Sequence, residues 1–182
     1  MKTGCEIVVE YLQSVPAWYL ATSDADGQPH VRPFSFVAHL DGRMWFCTSK
    51  DKDVYAEMQA NPRIGISAWR PASAWIVVEG QADLVDQANE TIHRAGFAHM
   101  RALGDDFTGS DDPRLTFFSL TDAQAWLCDI DGSRLPIELG FDYDSVNLEP
   151  EPPAEEVEEE PAPPTEEELE ARFAEENFSD VS

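Results

Sequence analysis

The chain has 182 residues, 42% of them hydrophobic, and a formal charge of -24 from 36 acids against 12 Lys and Arg. That length suits one globular domain with an appendage, and the acidity argues against nonspecific nucleic-acid binding, which needs a broad basic surface. Cys5, Cys47 and Cys128 are odd in number and widely spaced, so neither a disulfide framework nor a zinc site is expected; no apolar run approaches the ~20 residues of a membrane span, and a cytoplasmic protein is expected.

Thr3 followed by Glu6 is a capping box ahead of a short helix with Ile7, Val8, Tyr11, Leu12 and Val15 at helical spacing, stopped by Pro16. Residues 18–22 read as a strand, 24–27 as a turn and His30 to Ala38 as the returning strand; Asp41-Gly42 then leads into a third strand over 44–48. These three strands are expected to form a meander. Ser49 to Ala60 is expected to be a helix with Val54 and Met58 inward, ended by Asn61-Pro62. Arg63 to Trp69 and Ala74 to Val85 resume strands, with Gly80 a bulge or close-approach position. Asp86 is a candidate cap for a helix carrying Ile92, Ala95, His99 or Met100, and Leu103; two strands, Leu115 to Leu120 and Ala123 to Ile130, complete the set. About six antiparallel strands with few helices favour a small closed or nearly closed barrel.

Composition changes near Leu148. From Glu149 to Ser182 fourteen acids accompany one Arg, with Pro-rich spacing, so a barrel domain over 1–148 and a disordered acidic tail over 149–182 are expected. Thr165 to Glu168 forms a second capping box ahead of Leu169 and Phe173, a helix too short to be stable alone. A solvating tail is the expected role, and docking to a protein partner or to the domain's own cationic cleft is the rival.

The positive charge is unevenly placed. Between His30 and Arg70 lie six basic residues (Arg32, Arg43, Lys50, Lys52, Arg63, Arg70) against four acids, a net +2 window in a chain whose remainder sums to -26. Local cations beside hydroxyl residues suggest a defined anion site such as one phosphate. Thr48-Ser49 falls at a strand-to-helix junction, where Ser49 as helix N-cap, the first free N–H groups of that helix and Lys52 one turn in would converge on a phosphate; plain capping with a solvated Lys is the competing reading. In Arg32-Pro33-Phe34-Ser35-Phe36, Pro33 breaks the ladder and frees neighbouring backbone groups, while Arg32 offers a planar fork; an edge strand with ordinary core Phe residues is the alternative. The four His, at 30, 39, 93 and 99, lack the spacing of a metal site, and structural roles are expected.

Several words in one order then carry a resemblance: 19–22, Asp26-Gly27-Gln28-Pro29-His30-Val31-Arg32-Pro33-Phe34-Ser35-Phe36, 41–49, Lys52-Asp53-Val54-Tyr55 and Asn61-Pro62-Arg63. The chain from Val15 to about Ile130 resembles the pyridoxamine 5'-phosphate oxidase-like FMN-binding split-barrel family. The resemblance implies a mainly β fold, a six-stranded antiparallel split β-barrel that forms a homodimer with FMN in clefts at the interface. Arg32, Pro33, Phe34 and Ser35 would contact flavin and ribityl phosphate, and Thr48, Ser49 and Lys52 would hold the phosphate. Trp75 stands where the vitamin-processing oxidases carry a flavin-contacting Gln, and the chain lacks their C-terminal Arg-rich, Trp-containing segment, so a pyridoxal phosphate substrate is not expected. An FMN-dependent oxidoreductase acting on an unidentified small molecule is the reading that follows. The alternatives are a deazaflavin-dependent reductase of the same barrel, or a flavin- or haem-binding sensor or carrier, with His93 or His99 as candidate haem ligands.

Overall fold

A computed structural model describes residues 2–70, 74–85 and 88–143, all within the first compact unit of the chain, Met1–Pro150. The expectations for the acidic tail, and for Asp86 as a cap, lie outside these residues.

Strand β1 (Lys2–Thr3) leads into helix α1 (Gly4–Gln13), whose N-terminus carries the expected capping box: the Thr3 hydroxyl accepts from the Glu6 N–H and the Glu6 carboxylate accepts from the Thr3 N–H. β2 (Trp18–Ser23) and β3 (Pro29–Phe34) form a hairpin, in which Gly27 adopts φ +83 at the turn. A second hairpin joins β4 (Ala38–Leu40) to β5 (Arg43–Ser49) through Asp41 and Gly42, both with positive φ. Helix α2 (Asp53–Ala60) follows, then β6 (Arg63–Trp69), β7 (Trp75–Val85), helix α3 (Glu90–Ala102), β8 (Leu115–Cys128), β9 (Arg134–Ile137) and β10 (Asp142–Tyr143), which pairs with β1.

The main sheet is antiparallel with strand order β3-β2-β6-β7-β8-β5-β4, and β9 adds to β8. Six strands of six or more residues, β2, β3, β5, β6, β7 and β8, build the barrel. The order corrects the meander. β3 and β5 do not pair; β5 turns instead to β8, and β3 ends as one edge of the sheet while β4 ends as the other. Only Ser35, Phe36 and Val37 join those edges. Four Cα steps span at most ~14 Å, whereas seven strands laid flat would separate the edges by ~29 Å, so the sheet is curled and left open at this link. The split of the barrel lies there.

The returning strand therefore ends at Phe34 and not at Ala38, and Pro33, paired with Tyr19, sits on an edge that asks no second ladder of it. The two final strands are one, β8, bent at Asp122 (φ 50) where its register against β7 shifts between Glu79 and Gln81. Gly80 lies at that bulge: a Cβ there would stand 3.1 Å from the Thr121 carbonyl oxygen.

Alternation along β5 and β8 divides the apolar residues between two cores. Phe46 and Phe118 stack at 4.9 Å inside the barrel, with Trp18, Leu20, Ile66, Ile76 and Val78, and α1 and α2 close it with Val8, Leu12, Val54 and Met58. Trp45, Cys47, Leu115 and Phe117 face the other way, against Ile92 and Met100 of α3 and against Phe36 of the split. That second core fixes α3 beside the opening. Asn89 caps the helix by accepting from the Thr91 N–H, and Gly96 lets it approach Phe117.

Candidate functional site

A cavity of about 450 Å³ opens at the split, within the ~300–1,000 Å³ usual for small-ligand sites. Three stretches of chain supply its wall. The β3 edge and the link after it contribute Arg32, Pro33, Phe34 and Ser35; the end of β5 and the start of α2 contribute Thr48, Lys52 and Val54; the last turn of α3 contributes His99, Met100 and Leu103. Two of the expected positions lie elsewhere. Ser49 is buried at the end of β5, and Trp75 lies on β7 between Trp69 and Cys128, neither lining this cavity.

The junction after β5 is one turn longer than the sequence implies. Ser49 is not the helix cap: its hydroxyl accepts from the Asp51 N–H at 3.3 Å within a tight turn, and Lys52 occupies the N-cap position with no side-chain cap bond. Helix α2 therefore begins at Asp53, and the N–H groups of its first turn at Asp53 and Val54, which have no acceptor within the helix, belong to residues of the cavity wall. The Lys52 ammonium is half exposed and 3.5 Å from Asp105, an ion pair that solvent weakens.

At the other end Arg32 is already engaged. Its Nη2 lies 2.5 Å from Oε2 of Glu57, its Nη1 donates to the Thr22 hydroxyl, and that hydroxyl donates to Glu57 in turn. Glu57 and Thr22 are buried, at 7% and 4% exposure, so the pair is shielded from water. His30 flanks it, with Nδ1 3.9 Å from Glu57 and Nε2 3.3 Å from Asp24. The word Arg32-Pro33-Phe34-Ser35 places Arg32 here but not its partner. The signal was present in the helical spacing: Glu57 follows Val54 by three and precedes Met58, an acid on the inward stripe of α2.

Ser35 and His99 meet across the split, Oγ to Nε2, at 2.8 Å, and the imidazole packs on Phe36 at 5.5 Å between centroids. Burial holds His99 below the ordinary histidine value and so favours the neutral ring, which shares this hydrogen bond with the Ser35 hydroxyl. His93, by contrast, bonds the Ser110 carbonyl oxygen at 2.9 Å and packs on Phe117, away from the cavity. Burial pushes the Cys47 thiol up to about 12, which leaves it an un-ionised wall residue and no nucleophile. Among the described residues no three His, Cys, Asp or Glu cluster as a metal site, and no helix is long and apolar enough to cross a membrane.

An antiparallel barrel open along one seam, with hydroxyls, helix N–H groups and a cation beside an apolar wall at that seam, defines a split-barrel protein with a small-ligand cavity. The sequence model of the pyridoxamine 5'-phosphate oxidase family matches residues 6–129, and the chain belongs to that family. Three solved structures share the fold. A NimC/NimA family protein from Clostridium acetobutylicum is 22% identical with a TM-score of 0.62, over 73% of this chain and 93% of that one. General Stress Protein 26 from Bacillus anthracis str. Sterne is 18% identical with a TM-score of 0.54, over 70% and 95%. HupZ from Group A Streptococcus is 15% identical with a TM-score of 0.52, over 74% and 99%. At these identities the likeness is one of fold. No curated protein sequence matches the chain.

Proposed function

We propose that the cavity at the split binds FMN and that the protein is an oxidoreductase acting on a small molecule. The observation that carries this reading is that Ser35, Thr48, Lys52 and the first residues of α2 line one cavity of about 450 Å³ together with the apolar Phe34, Val54, Met100 and Leu103. The donor set suits a phosphate and the apolar wall suits a flat ring, so the residues present fit the cofactor. Membership of an oxidase family supports the same choice.

In that reading Lys52 and the start of α2 hold the phosphate, Pro33 to Ser35 and Met100 flank the ring, and α3 excludes water from it. Bound FMN would supply hydride acceptance and donation. The Ser35–His99 pair keeps a neutral hydrogen-bonding group at the wall instead of a second charge.

The same reading includes a homodimer. Strand register places Pro33, Tyr19, Ser67, Val77 and Trp126 in one row across the outer face of the sheet, and Tyr19, Val31 and Trp69 there are 55%, 65% and 63% exposed. An apolar face of this extent is what a second copy would cover. Extraction of the purified protein and mass identification of what is released tests the cofactor: FMN supports the reading, whereas a deazaflavin or haem overturns it.

A further inference from the structure

Glu57 is the one buried acid in the cavity wall, and the proposed phosphate site gives it no role. The Lys, Arg, Asp and Glu side chains lining the cavity are Arg32 and Lys52 against Asp51, Asp53 and Glu57, a formal charge of -1 from two cations and three acids. Asp51 and Asp53 are exposed and screened by water, whereas Glu57 is 7% exposed. Its carboxylate closes a ring with Arg32 and the Thr22 hydroxyl, so the guanidinium that would most readily fork onto a phosphate already faces an anion. No comparable clamp holds Lys52, whose Asp105 partner stands off at 3.5 Å and whose side chain is half exposed.

We propose that Glu57 is an internal counter-ion that withdraws Arg32 from the ligand, so that an anionic group in this cavity is held at the Lys52 end and the Arg32 end acts as a neutral polar wall. The inference rests on the reading of the cavity as a flavin site, and makes Glu57 a specificity-determining residue acting through Arg32. Ligands with one anionic group and an uncharged polar edge at the far end are the class it favours. Neutralising a buried carboxylate beside the partly exposed Arg32 guanidinium returns a positive charge to the wall.

The test is a charge cycle read by binding. Affinities for FMN and for riboflavin, which has the same ring and no phosphate, are measured by titration calorimetry on the wild type, Glu57→Gln, Arg32→Gln and the double variant, with thermal unfolding as a check on the fold. Gln at 57 keeps an oxygen that accepts from Arg32 and Thr22, so this variant retains the hydrogen bonds while losing the charge. The expected result is FMN bound about tenfold more tightly by Glu57→Gln, the scale of one charge-assisted contact, with riboflavin unchanged. The double variant is expected to bind FMN within about threefold of the wild type, since both charges leave together. Arg32→Gln strands a buried carboxylate and is expected to lose FMN or stability; if it does not fold, the other two variants carry the test. An unchanged or weakened FMN affinity in Glu57→Gln overturns the counter-ion role, as does a double variant that loses FMN more than tenfold, because Arg32 would then be a direct phosphate ligand that Glu57 only orients. A wild type that binds neither flavin defeats the flavin reading separately. The comparison is then made with inorganic pyrophosphate, where a gain in Glu57→Gln supports the counter-ion and no gain overturns it.

Discussion

Lys50 and Lys52 are two residues apart and serve different surfaces. Lys52 lines the cavity at the split, whereas Lys50 donates its N–H to the Arg114 carbonyl oxygen at 2.8 Å and lines a separate cleft with Glu90 and His93. Lys52→Glu is therefore expected to lower FMN affinity more than about tenfold and Lys50→Glu much less, which equilibrium titration of the two variants would show. His99 gives a second handle. Its folded-state value lies below the ordinary one because burial disfavours the charged ring. The sign follows: the unfolded chain binds the proton more readily, so this contribution is intact above the unfolded value of about 6.5 and is lost as the pH falls through it toward the folded value. The melting temperature should drop more between about pH 7 and pH 5.5 in the wild type than in His99→Gln, and parallel profiles would show that His99 carries no such linkage. What the sequence revealed at this scale was position and not partnership. Arg32, Ser35, Thr48 and Lys52 are legible because local words place them, and Glu57 is marked by its place on the inward stripe of α2, but His99 reaches the cavity from a helix 64 residues away from Ser35, which no local pattern encodes.

At the scale of elements the capping box, both hairpin turns and the bulge at Gly80 follow from residue type, because each is settled within a few residues. The pairing of β5 with β8 and the separation of β3 from β5 do not, since they depend on which apolar faces meet after the sheet curls. The same reason hid the start of α2: Ser49 is an able cap, yet β5 runs through it to pair with Leu115. α3 is the element whose placement matters most to the cavity, and Gly96 sets its distance. A Cβ at that position would lie 2.6 Å from Cε1 and 3.0 Å from Cζ of Phe117, itself fully buried, and 3.3 Å from Cβ of Cys47. Gly96→Ala should therefore cost about 1–3 kcal/mol by overpacking despite the better helix propensity of Ala. Denaturant unfolding checks this, and a stability equal to or above the wild type would show that α3 has room to shift.

For the whole molecule, the apolar outer face of β2, β3 and β6 leads to the expectation of a dimer. Light scattering should give twice the chain mass, and Val31→Glu, on a 65% exposed side chain that contributes little to the core, should shift it toward the monomer without changing the fold. A stable wild-type monomer with bound flavin would contradict this. Deletion of Glu149 to Ser182 removes fourteen acids and one Arg, and with them little that could join a core. Melting temperature and flavin content should survive the deletion, and a large fall in either would assign the segment a docking role on the domain. A phosphate held by Lys52 at the split of the barrel can be checked by titrating FMN and riboflavin into the wild type and into Lys52→Glu. The wild type is expected to bind FMN at least about tenfold more tightly than riboflavin, and the variant to lose this preference while keeping its riboflavin affinity. Equal affinity for the two ligands in the wild type, or equal loss of both in the variant, would contradict it.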